Sequence, residues 1–252
     1  MPQEKQHKIL CVGDSHASTA FTRKPWPYWL DGNIDVLCSP GAGIEIGVQK
    51  LALQLSKEKY DLVIFQGPHN MRLSVGMNYN EADDRSGVEK TYPWQQHGNK
   101  VDDEFIMGLN PNNNIPAMAK FHGKEHFKQK IYKGFNEWFL QYQADNNYET
   151  TVKYTTHLFT VEQLCKVYNT KLVIFLWHPI EGHKNNLFTA WNKHLTTVIS
   201  TSVFEWQQSK NWIWRGGKCK NTTDGYHLND YGNEVLVQEY LKPHISNINI
   251  GG

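Results

Sequence analysis

The chain predicts an α/β fold: three layers, α/β/α, around a mainly parallel sheet. Three observations carry this. Four short runs, residues 8–13, 34–38, 61–65 and 171–177, are almost continuously apolar, as expected of parallel strands covered on both faces rather than half-exposed alternating ones. Segments with helical spacing of apolar residues lie between and after them, at 45–57, 150–168 and 230–241. Strand and helix therefore alternate along the chain, which is the pattern of a layered α/β domain.

Each element has its own signals. The first run ends at Gly13, which stops the strand. The helix at 45–57 repeats through Ile46, Leu51 and Leu55. The third strand reads Asp-Leu-Val-Ile-Phe and the fourth Lys-Leu-Val-Ile-Phe-Leu-Trp. The last helix is expected to stop before Pro243. Residues 71–116 break the rhythm: they are rich in Asn, Asp, Gly and charge, lack a clear period, and hold the turn-rich Asn110-Pro111-Asn112-Asn113-Asn114. So long a structureless loop is usually functional or mobile. It is read as an insertion near the mouth of a site, with a surface excursion of no role as the alternative. No repeat or separate linker is visible, so 1–252 is read as one domain carrying that insertion.

Composition excludes several function classes. Formal net charge is +1 and no long run of one sign occurs, which argues against a dedicated nucleic-acid or anionic-membrane surface. No apolar stretch approaches the ~20 residues that span a bilayer. Residues 1–8 are polar, and no secretory signal is expected. A cytoplasmic protein, bacterial or virus-encoded, is the expectation; oligomeric state is not legible. Cys11 and Cys38 sit in strand-like runs and Cys165 in a helix-like one. Free buried thiols are expected rather than a disulfide framework, and no pair has metal-site spacing.

The chemistry-bearing residues sit at strand ends. Gly13-Asp14-Ser15-His16 follows the first strand, and ligands of open parallel sheets bind beyond the carboxyl ends of strands. A serine hydroxyl needs a neighbouring base to become a nucleophile. Asp224-Gly225-Tyr226-His227 offers one, with a carboxylate three residues earlier to hold the imidazole by its Nδ1–H and leave Nε2 free. Taken alone, each motif is better read as a turn or helix cap. Charge on a tetrahedral oxyanion needs donors. The candidates are the Ser15 N–H, the Gly41 N–H in Ser39-Pro40-Gly41-Ala42-Gly43, and the Asn70 side chain closing Gln66-Gly67-Pro68-His69-Asn70.

Four such segments in this order resemble the SGNH hydrolases, also called the GDSL esterase/lipase family. Gly13-Asp14-Ser15 matches the family's first block, Gly41 its second, Asn70 its third, and Asp224 with His227 its last. The resemblance implies a flavodoxin-like fold with a Ser15, His227, Asp224 triad and an oxyanion hole of Ser15, Gly41 and Asn70. The third block departs from the family's Gly-x-Asn-Asp. Literal spacing from Gly67 puts His69 in the asparagine place, whereas alignment on the strand end puts Asn70 there. Asn70 is preferred, because an amide donates at every pH. Gly-Asp-Ser-His openings are similar to those of SGNH domains linked to carbohydrate O-acetyl chemistry. His16, His69 and Arg72 are accordingly expected to touch substrate, and Trp26 and Trp29 either stack on a sugar or pack the core, the core being favoured.

The expected activity is hydrolysis of an acyl ester, such as acetyl, on a polar, carbohydrate-like molecule, with no cofactor. Acyl transfer through the same triad and a non-catalytic binding module are the alternatives. Other clusters weigh less. His122 and His126 are four apart, but the motif is not His-Glu-x-x-His and no third ligand is evident, so no metal is expected. His178 and His183 read as loop residues. Trp206, Trp212 and Trp214, beside Lys210 and Arg215, read as a packed aromatic cluster rather than a nucleic-acid platform.

Overall fold

The computed structural model describes residues 7–38, 43–69, 73–78, 104–109, 147–180, 198–213 and 219–248. Its centre is a four-stranded, all-parallel sheet. Strands β1 (Lys8–Gly13), β2 (Asn33–Cys38), β3 (Leu62–Gly67) and β6 (Lys171–Leu176) lie in the order β2-β1-β3-β6. The register pairs Ile9 with Ile34 and Leu62, and Ile64 with Val173. β3 is buried along its whole length, which explains why its sequence does not alternate.

Side chains along each strand leave on opposite faces, so each face of the sheet has its own apolar cluster. Leu10, Val12, Val63, Phe65, Ile174 and Leu176 meet α1 (Ile44–Lys57) through Val48, Leu51 and Leu55, and α2 (Asn147–Val167) through Leu158, Val161 and Cys165. On the other face Ile9, Cys11, Leu62, Ile64, Val173 and Phe175 meet Trp26, α3 (Val203–Ser209) and the C-terminal helical segment. Burying each such Leu, Ile or Phe is worth ~1.5–3 kcal/mol. α3 starts with a capping box in which Ser202 and Glu205 satisfy each other's backbone N–H groups.

Three features differ from the sequence expectation. First, the third strand runs on through Gln66 and Gly67. Second, the insertion is not structureless: β4 (Leu73–Asn78) pairs antiparallel with β5 (Glu104–Leu109), Leu73 opposite Leu109. Each strand has an interior glycine, Gly76 and Gly108, which weakens the strand signal, and a long separation hides the pairing. Third, the last helix does not stop before Pro243. α4 (Asp230–Val235) widens into a π-helical stretch, Leu236–Leu241, and continues as α5 (Lys242–Ser246), with Pro243 in its first turn. There the missing N–H costs little.

Trp206 packs against Trp212 with ring centroids 5.3 Å apart and against Tyr240 at 5.6 Å. Trp214 and Arg215, like His122, His126, His183 and residues 110–114, lie outside the described residues. Among the described residues no helix is long and apolar enough to cross a membrane.

Candidate active site

The carboxyl end of β1 turns sharply at Asp14 into a single 3₁₀ turn, Ser15–Ala17. Asp14 fixes that turn from both sides. Its Oδ1 accepts the His16 N–H at 3.0 Å and the Gln66 Nε2–H at 2.6 Å. Gln66 Oε1 in turn accepts the Trp26 indole N–H at 3.1 Å. All four of these side chains are buried, so the turn is held by a chain of satisfied polar groups in a low-dielectric interior. Gly13 is required here by close approach: a Cβ would stand 2.7 Å from Gln66 Oε1 and 2.8 Å from Ala17 Cβ.

The second half of the site is the loop before α4. Asp224 Oδ1 accepts the N–H groups of Tyr226 at 2.9 Å and His227 at 2.8 Å, and Oδ2 lies 2.6 Å from His227 Nδ1. Gly225, at φ 93°, supplies the left-handed turn between them. Its N–H donates to Thr222 Oγ1, and the Thr223 N–H donates to the His227 carbonyl. Asn229 then caps α4 by accepting the Gly232 N–H at 2.8 Å. Asp224 and His227 thus form a local structure, separate from the helix cap.

The two halves meet. His227 Nε2 is 2.9 Å from Ser15 Oγ, across a sequence separation of 212 residues. Partial burial pushes the Asp224 carboxyl up, but the backbone and ring hydrogen bonds from His227 and the Tyr226 N–H outweigh it and hold the group below its ordinary value. An ionised carboxylate only accepts, so Nδ1 carries the ring proton and Nε2 is the acceptor for the Ser15 O–H. That is the tautomer in which an imidazole can take a proton from a hydroxyl.

Rings fix the plane of this imidazole. Phe21 stacks on one face of His227 at 3.8 Å and 9°. His16 lies at 4.7 Å and is itself stacked on Trp177 at 3.6 Å and 12°. His16 is buried against these two rings. His69, at the end of β3, is also buried, with its ring 4.8 Å from His178, which is half-buried and 5.6 Å from Phe204. Gly41, Asn70 and Arg72 lie outside the described residues. Among the described candidates, the N–H of Ser15 opens its 3₁₀ turn, where the first N–H groups have no partner within the helix.

Trp26 is fully buried, a core residue that also anchors Gln66, whereas Trp29 is partly buried beneath Lys24 Nζ, 3.5 Å from its ring. Gln66, Phe21 and Trp177 were not singled out as site residues in the sequence. Gln66 had a signal, a lone amide closing an apolar strand; Phe21 and Trp177 had none. All four cysteines are free, and burial pushes every thiol above its ordinary value, Cys165 to about 12. Each is thereby kept from forming a thiolate near neutral pH. Among the described residues no group of three His, Cys, Asp or Glu side chains could hold a metal ion. A scan against family models and searches of curated proteins and of solved structures return no match to the chain.

Proposed function

We propose that this protein is a serine esterase of the SGNH type, releasing an acyl group such as acetyl from a polar, carbohydrate-like alcohol. One observation carries the reading: the continuous Ser15 Oγ, His227 Nε2, His227 Nδ1, Asp224 Oδ2 chain, at 2.9 and 2.6 Å, between two ends of the sequence. A structural cap needs only one of these contacts. The strand order β2-β1-β3-β6 and the helices against both faces support a flavodoxin-like, three-layer form of the fold.

In the proposed reaction the Ser15 Oγ–H proton passes to His227 Nε2 as Oγ bonds the ester carbonyl carbon. The Ser15 N–H, with Gly41 and Asn70 carried over from the resemblance, holds the oxyanion, each donor contributing ~3–4 kcal/mol. The carbon–oxygen bond to the alcohol breaks, and that oxygen takes the proton from Nε2. Water then gives its proton to Nε2 and attacks the acyl-serine. The acid leaves and Ser15 Oγ recovers the proton. Asp224 stays ionised throughout and stabilises the imidazolium.

Ser15→Ala is the test. The variant is expected to keep its melting temperature within a few degrees and to lose p-nitrophenyl acetate hydrolysis by ~10³-fold or more. Turnover equal to that of the parent would contradict the assignment.

A further inference from the structure

An open cleft of about 560 Å³ lies beside the triad, lined by Phe21, Arg23, Thr223, Asp230 and Tyr231 among others. Its volume falls in the ~300–1,000 Å³ range of small-molecule sites. It shares its walls with the base. Phe21 is the ring stacked on His227, and the Thr223 N–H and Oγ both bond the His227 carbonyl. In ester cleavage the imidazole delivers its proton to the leaving oxygen, so the alcohol half of a substrate must sit on the side of His227.

The lining indicates what kind of alcohol. Asp230 Oδ1 accepts the Thr22 hydroxyl at 2.5 Å and the Lys24 N–H at 3.0 Å, which fixes the carboxylate in place. Arg23 is exposed and close enough to contribute to holding the Asp230 carboxyl below its ordinary value. Lys24 is turned away over the Trp29 ring. The described lining residues thus include one guanidinium and one carboxylate, and the local charge is balanced. Tyr231 stands 61% exposed beside them. A fixed acceptor, a fork of donors and one exposed aromatic ring suit a ligand with hydroxyls around its edge and C–H groups on its face. An acidic group on the ligand would be repelled by the Asp230 carboxylate.

Resting on the esterase reading, we propose that this cleft is the leaving-group subsite and that it takes a neutral sugar ring, with Arg23 and Asp230 reading its hydroxyls and Tyr231 covering its face. The experiment compares a panel of mono-O-acetylated methyl glycosides with p-nitrophenyl acetate and ethyl acetate. Parent protein, Tyr231→Ala and Arg23→Gln are assayed; both changes are at exposed side chains, and urea titration checks that the fold is unchanged. The expected result is that both substitutions lower kcat/KM for the favoured glycoside by about tenfold and change it for ethyl acetate, whose leaving group is too small to fill the cleft, by less than about twofold. Three results would overturn it: equal loss on both substrates, no loss on either, or no glycoside in the panel turned over faster than ethyl acetate. If the parent hydrolyses p-nitrophenyl acetate in any of these, the subsite fails while the esterase reading stands. If the parent hydrolyses nothing, the esterase reading fails and the subsite with it. Methyl glycosides titrated into Ser15→Ala, followed by the Tyr231 ring signals in NMR, give a readout that needs no turnover: shifts are expected, and their absence counts against the cleft.

Discussion

The carboxyl of Asp224 meets two backbone N–H groups and one ring nitrogen within 2.9 Å, and this sets two expectations. Asp224→Asn would leave the loop bonds partly in place but lose control of the His227 tautomer, so kcat is expected to fall by ~10³–10⁴ while KM changes little, as steady-state kinetics would show. The second concerns acid stability. The folded carboxyl titrates below its ordinary value. Its contribution is therefore present above about pH 4 and is lost as pH falls through the depressed value. Melting curves of parent and Asp224→Asn are expected to differ most near neutrality and to converge below pH ~4; a gap that widens on acidification would contradict this. Ser15, Asp224 and His227 were legible in the sequence because each sits at a recognisable strand end or helix start. Phe21 and Trp177 were not. They matter only through stacking with His227 and His16, and nothing in a linear string says which loops will share a wall.

At the scale of elements, the β1 turn depends on the fit between two neighbouring strands. In Gly13→Ala the new methyl would stand 2.7 Å from Gln66 Oε1, the atom that receives the Trp26 N–H. Gln66 is only 1% exposed and has nowhere to swing, so either the Trp26 or the Asp14 bond is lost. A cost of ~1–3 kcal/mol in urea unfolding is expected, with a matching fall in kcat as Ser15 shifts. Unchanged stability and rate would mean that the turn is not held in this way. The strands themselves were readable from continuous apolar runs, and β1 and the end of β2 fall where the sequence places them; β3 runs two residues past the apolar run, with Gln66 as a polar anchor inside it. The C-terminal helix departs from its sequence pattern at a proline. A proline normally ends a helix, yet the π-helical stretch at Leu236–Leu241 restarts the helix so that Pro243 falls in a first turn. Paired strands β4 and β5 were hidden by interior glycines and distance in the chain.

On the scale of the whole molecule, the parallel sheet collects at one edge what the sequence scatters. Ser15 follows β1, His69 follows β3, and Trp177 and His178 follow β6, at the carboxyl edge where open α/β sheets bind ligands. Sequence order alone could list these segments but not bring them together; parallel pairing does. The thiols give a global check. With four free cysteines whose pKa values burial raises, iodoacetamide at neutral pH is expected to leave both activity and melting temperature unchanged, and reductant to have no effect. Rapid loss of activity on alkylation would point to a different nucleophile. The central claim is that Ser15 is activated by His227, and its most direct measurement is covalent labelling with a fluorophosphonate followed by peptide mass spectrometry on the parent and His227→Ala proteins. A single adduct on Ser15 in the parent, slowed by ~10²-fold or more in His227→Ala, is the predicted result. An unlabelled Ser15 in folded parent protein, or labelling at the same rate in both, would contradict it.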